Sequence, residues 1–249
     1  MRPFPSTSGV SFGPGPITPA VKLIIIANLV LFVLTLVAPG TVIGLLGLNP
    51  SLLVEHAQVW RLVTYLFVHS AASLGHILFN MLAVWMFGVE LERRWGTPFF
   101  LKYYFVCGVG AGVCTVLASL LPFQITAPLY TTTTIGASGA VYGLLMAWAL
   151  IFPHREILFM FIFPLKARVF VLIVGAIAFL SALTASGGPV ASLAHLGGLL
   201  AGWLYLQGPR GFVLELRRQV ARRRMERLRR RFNVHKGGKD YWGGDGRVH

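Results

Sequence analysis

The chain has 249 residues, of which 55% are hydrophobic and only 12% charged, and it carries a formal net charge of +14. Soluble domains hold about 25% charged residues, so this balance excludes an ordinary water-soluble fold and points to a membrane. A helix crosses the hydrocarbon with about 20 mostly apolar residues.

In chain order, residues 1–20 are rich in Pro, Gly and Ser with one charge, Arg2, and predict a disordered tail. The run from Val21 to Ala38 is long enough to span and has no obvious small-residue cleavage site, so it reads as a retained helix. Further runs cover Leu74 to Val89, Phe99 to Leu121, Ser138 to Phe152, Val169 to Leu183 and Val190 to Leu206. The expected architecture is all-α: a polytopic membrane protein with six transmembrane helices over residues 21–207 and a tail over 208–249. Cys107 and Cys114 lie seven apart on one predicted helix, roughly 10 Å between Cα atoms, which is too far for a disulfide.

Charge sets the expected orientation. Arg93, Arg94 and Lys102 fall between the second and third spans, and Arg155, Lys166 and Arg168 between the fourth and fifth. The stretches from Pro122 to Ala137 and from Thr184 to Pro189 carry no charge, and the connection after the first span has one basic residue, Arg61. The tail after Gly208 holds 13 Lys and Arg against four acids, so the positive-inside rule places both termini in the cytoplasm. Phe212, Leu216, Val220, Leu228 and Phe232 recur there at multiples of four among the arginines. An interfacial helix on anionic lipid accounts for this pattern; nucleic acid is the less economical partner beside a membrane span.

With that topology the second, fourth and sixth spans run parallel from the outer face inward. His76 and Asn80 lie near the start of the second, Ser138 opens the fourth, and His195 follows the start of the sixth. Positions about five residues into a helix sit roughly 8 Å below its end, so the four share one depth and suggest a hydrated cavity opening outward. The fourth span is short, and its start is expected below the surface, reached by irregular backbone through Thr131 to Thr134. Gly136, Ser138, Gly139 and Gly143 read as facing nearly one way, and Gly198 and Gly202 form a small-xxx-small pair on the sixth span.

The segments Gly136-Ala137-Ser138-Gly139, Ala194-His195-Leu196-Gly197-Gly198 and His76-Ile77-Leu78-Phe79-Asn80 resemble the rhomboid family of intramembrane serine proteases, in that family's order along the chain. Trp60-Arg61 is similar to its Trp-Arg pair, and Glu92-Arg93-Arg94 to its Glu-x-Arg. The resemblance implies a rhomboid-like six-helix bundle with Ser138 as nucleophile, His195 as general base, and no acidic third member. It also implies support of the pair by Gly136 and by Tyr142, whose position matches one where the family stacks a ring on this histidine. Oxyanion stabilisation falls to Asn80, His76 and the Ser138 backbone N–H; His76 and Asn80, four apart, project from one helix face.

Each residue also has a bland reading. A serine at a Gly-rich helix start caps or packs the helix, a membrane histidine serves a proton relay, an asparagine bonds between helices, and Tyr142 or Trp60 anchors packing. Their joint occurrence at one depth favours chemistry. A proton-coupled transporter calls for intramembrane carboxylates or repeats, which the sequence lacks. A metalloprotease calls for a cluster such as His-Glu-x-x-His, so no metal and no cofactor are expected. A non-catalytic relative that binds transmembrane clients is the alternative function.

The expected activity is hydrolysis of peptide bonds in or beside transmembrane helices of other membrane proteins. Family resemblance implies substrates with small residues at the cut and helix-weakening residues nearby that enter past the fifth span, with Phe159, Phe161, Phe163 and Phe170 as candidates for that gate or its membrane contacts and the connection around Trp60 and Arg61 as a stabilising element. The compact form looks like a bacterial inner-membrane member with its site opening outward. Nothing in the sequence specifies an oligomeric state.

Overall fold

The structure is a computed structural model that describes residues 13–208, apart from 125, 160–162 and 185–188. The chain divides into two units, Met1–Leu206 and Gln207–His249. The basic tail, beyond Gln207 and Gly208, lies outside the described residues, as do the first twelve residues of the expected N-terminal tail.

The first unit is mostly helical. Helix α1 (Pro19–Val37) leads into a connection built of α2 (Pro39–Leu46), α3 (Pro50–His56) and α4 (Arg61–Thr64), short helices that the apolar periodicity did not resolve. Helices α5 (Leu74–Trp95) and α6 (Thr97–Ser119) follow, then α7 (Ser138–Ile151), strands β1 (Glu156–Phe159) and β2 (Phe163–Lys166), α8 (Ala167–Thr184) and α9 (Pro189–Gln207). Among the described residues, α1, α5 and α6 are long and apolar enough to cross a membrane, while the apolar stretches of α7 and α8 are shorter. Large apolar side chains lie exposed along these helices, including Leu23 and Val33 on α1, Leu117 on α6 and Leu172 on α8. Such surface is costly in water at about 25 cal/mol per Å² and free of that cost in lipid.

Among the described residues the fold departs from all-α in a short hairpin. Between α7 and α8, β1 and β2 pair antiparallel, with Glu156 opposite Lys166 and Phe159 opposite Phe163. The aromatic and β-branched residues of this link suit a hairpin, and the opposite charges at its base favour that register.

Helix α5 also runs six residues past the predicted end at Val89, because its polar last turns are put to use. The Glu92 carboxylate accepts from the backbone N–H groups of Ala20 and Val21 (3.0 and 3.1 Å) and from the hydroxyls of Thr18 and Thr97. It thereby satisfies orphan donors at the start of α1 and ties three helix ends together. Arg93 donates to the carbonyls of Pro14 and Pro16. Glu90 receives the Trp148 indole N–H at 2.9 Å and pairs with Arg155, fastening α5 to the far end of α7.

The core lies where α5, α6 and α7 meet, around Leu91, Phe100, Tyr104 and Leu144, all fully buried. Helices α7 and α9 approach at glycines. A Cβ on Gly198 would collide with the Gly139 carbonyl, and one on Gly202 would fall 3.2 Å from the Gly143 Cα and 2.5 Å from the Tyr103 hydroxyl. Close packing of this kind replaces the hydrophobic drive that is missing between helices in lipid. Cys107 is buried, and both it and Cys114 are free.

Candidate active site

The approach to α7 comes first. From Ser119 the chain leaves α6, makes a 3₁₀ turn at Ala127–Tyr130 and then enters the protein. Thr134 exchanges two backbone hydrogen bonds with Leu48 (2.8 and 2.9 Å), and the Gly136 N–H donates to the Tyr65 carbonyl at 2.9 Å. Irregular backbone is thus paired where water is scarce, as burial demands. Asn49 reinforces the dock by donating its amide to the Thr131 carbonyl at 2.9 Å.

Gly136 then turns the chain at φ +117°, a conformation that excludes side chains with a Cβ. A Cβ there would also lie 2.9 Å from the His76 ring. The expectation that Gly136 shares a helix face with Ser138 and Gly143 is corrected: it precedes the helix, and its part is the turn itself. Ala137 is the N-cap and Ser138 the first residue of α7.

Ser138 Oγ lies 2.9 Å from His195 Nε2. When the ring carries its proton on Nδ1, the hydroxyl donates in this bond. Tyr142, one turn beyond Ser138, stacks on the imidazole with ring centroids 4.1 Å apart and planes 4° from parallel. Among the described residues that line the cleft there is no carboxylate, so packing holds the ring. That cleft, about 570 Å³, is lined by Ser138, Tyr142 and His195 together with His76, Asn80 and Gly136.

Asn80 is buried and donates one amide hydrogen to the His76 carbonyl at 2.8 Å, leaving its second for another acceptor. His76 is half-buried at the α5 start, where the Ser73 side chain caps the helix by accepting its N–H at 3.3 Å. The six site residues singled out from the sequence therefore line one cavity.

Outside the cleft, Arg61 donates to the carbonyls of Gly44 and Gly47, each at 2.6 Å, and Trp60 donates its indole N–H to the Leu45 carbonyl at 3.2 Å. The pair pins α4 to the α2 end and so steadies the connection that Thr134 docks on. The proposed gate residues sit elsewhere. Phe163 belongs to β2 and Phe170 to the first turn of α8, after the end of α7 opposite Ser138, about 20 Å away at the helical rise. Phe159 is in β1 at the same end, and Phe161 lies outside the described residues. Among the described residues, Phe159, Phe163 and Phe170 thus gather near the end of α7 opposite Ser138.

Two further residues stand at the site: Thr134, expected only as part of the entering backbone, and His69, which no sequence motif singled out. Thr134, 6% exposed, lines the cleft, and His69 is fully buried against His76. His69 lies in the connection before α5, between the apolar runs. A third histidine seven residues before His76 was the available signal.

Apolar helices that carry a Ser–His contact at the rim of an interior cleft define a multi-pass membrane protein with a potential nucleophile. The chain belongs to the rhomboid family: a Rhomboid domain matches residues 56–208. It is 32% identical over 137 residues to Rhomboid protein 1, mitochondrial, of Saccharomyces cerevisiae, covering 55% of this chain and 38% of that protein. It is 27% identical over 157 residues to Rhomboid protease GluP of Bacillus subtilis, covering 63% of this chain and 27% of that protein. To the putative rhomboid protease YdcA of Bacillus subtilis it is 27% identical over 151 residues, covering 61% of this chain and 67% of that protein. The match thus spans well under half the length of the yeast protein and of GluP.

Proposed function

We propose that this chain is an intramembrane serine endopeptidase that cleaves peptide bonds in or next to transmembrane helices of other proteins. The observation that carries the reading is the 2.9 Å contact between Ser138 Oγ and His195 Nε2 beneath the Tyr142 ring. Family membership, with relatives named as proteases, supports it at the level of reaction class.

In this mechanism His195 Nε2 takes the Ser138 proton as Oγ attacks the scissile carbonyl carbon. The resulting oxyanion accepts from the free amide hydrogen of Asn80, a ring N–H of His76 and the Ser138 backbone N–H. Each such donor is worth about 3 kcal/mol of transition-state stabilisation. His195 then delivers the proton to the departing amine, and water, deprotonated by the same ring, releases the acyl group. The stacked Tyr142 ring does the orienting that a carboxylate does in a three-residue system.

The long helices α1, α5, α6, α7, α8 and α9 serve as six spans, with residues 21–207 as the membrane domain and both termini in the cytoplasm. The cleft then opens to the outer side of a bacterial inner membrane, and the basic residues of 208–249 rest on anionic lipid. A client-binding relative without peptidase activity has no use for the Ser–His contact, which favours the catalytic reading.

The test is cleavage of a transmembrane substrate by the full-length chain in liposomes. The wild-type protein cuts and Ser138→Ala does not; full cleavage by Ser138→Ala overturns the assignment.

A further inference from the structure

We infer that His69 is a positioning residue of the same site, holding the turn before Ser138 and the His76 ring in one arrangement; the inference rests on the reading of Ser138 as nucleophile. His69 is completely buried. An imidazole is an expensive occupant of such a place, because its polar nitrogens lose water, and a phenyl ring fills similar space without that cost. What the imidazole adds is two contacts.

The first is to the backbone that presents the nucleophile. The Ala137 N–H points at His69 Nε2 across 3.5 Å, a long hydrogen bond, and has no backbone partner among the described residues. Ala137 is fully buried, so its N–H has no alternative in water. An acceptor at Nε2 places the ring proton on Nδ1, which is buried beside the Phe67 carbonyl without a bond of good geometry. The peptide plane fixed in this way is the one entering α7, and it governs where the next N–H, that of Ser138, is aimed.

The second contact is to His76. The two rings lie 5.1 Å apart at 59°, and Gly136 lies against both. A Cβ on Gly136 would stand 2.9 Å from His76 Cε1 and 4.0 Å from His69 Nε2. His69 thus backs both the glycine turn and the ring offered as an oxyanion donor. A shift of about 1 Å in such donors costs catalysis up to about a hundredfold.

The experiment uses the full-length chain in liposomes with a transmembrane substrate, comparing kcat, KM and thermal midpoint. His69→Gln carries an amide near the Nε2 position and keeps an acceptor; His69→Phe keeps the ring without one; His69→Asn puts its amide nearer the Nδ1 position. The expected result is that kcat falls about tenfold or more in the Phe and Asn variants with KM within about twofold, and that Gln restores kcat to within about threefold of wild type. Equal kcat in all variants, or equal losses in Gln and Asn that follow thermal stability, overturns the proposal. If Phe does not fold, the Gln and Asn comparison decides the matter alone. Ser138→Ala runs alongside: cleavage that survives it removes the underlying reading, whereas loss of cleavage there with wild-type kcat in His69→Phe removes only the role of His69.

Discussion

Tyr142 and His195 lie face to face, 4.1 Å between ring centroids and 4° from parallel, and this stack holds the imidazole whose Nε2 meets Ser138. Because no carboxylate lines the cleft among the described residues, orientation of the base depends on this flat contact. Tyr142→Phe keeps the face and should retain kcat within about twofold, while Tyr142→Ala frees the ring and should lower kcat about ten- to a hundredfold. Steady-state cleavage kinetics check both; a Phe variant as impaired as Ala assigns the effect to the hydroxyl instead.

Asn80 offers a second entry. With one amide hydrogen spent on the His76 carbonyl, the other is free for the oxyanion. Asn80→Ala should reduce kcat about a hundredfold with KM little changed, the pattern of a donor used in the transition state. A rise in KM at constant kcat contradicts that role and makes Asn80 a substrate-binding group.

The glycine contact between α7 and α9 predicts a different signature. Gly198→Ala drives a methyl into the Gly139 carbonyl, and overpacking of this kind costs about 1–3 kcal/mol. The thermal midpoint in detergent should fall by several degrees, and activity should fall with it. An unchanged midpoint shows that the helices can part without loss.

His69 gives stability a pH dependence. Burial, with His76 beside it, pushes its imidazole down to about 4, against an ordinary value of 6.5. Between those values the unfolded chain binds a proton that the folded chain refuses, so stability is full above about pH 6.5 and falls as pH drops toward 4. The loss at the acid limit is of order 3 kcal/mol. Thermal midpoints of wild type and His69→Gln compared over that range should diverge, the wild type losing more on acidification; parallel curves contradict the assignment.

How much of this was legible beforehand differs by element. Ser138, His195, His76 and Asn80 could be placed together because helical rise converts sequence position into depth, and the cleft gathers all four. Tyr142 and Gly136 came from family resemblance, and the geometry gives each a physical reason. The hairpin of β1 and β2 was missed because an apolar link between spans has no periodicity that separates strand from loop. The extension of α5 to Trp95 was missed because hydropathy ends where lipid ends, whereas the helix continues to where Glu92 finds its partners. His69 was missed because its meaning lies in a contact with Ala137, 68 residues away in sequence.

The central claim is that Ser138 is a nucleophile activated by His195. Its most direct test is treatment of the full-length protein with a fluorophosphonate, followed by mass spectrometry of the adduct. The account predicts a single adduct on Ser138, absent in Ser138→Ala and strongly diminished in His195→Ala. An adduct on another residue, or labelling unchanged in Ser138→Ala, contradicts it.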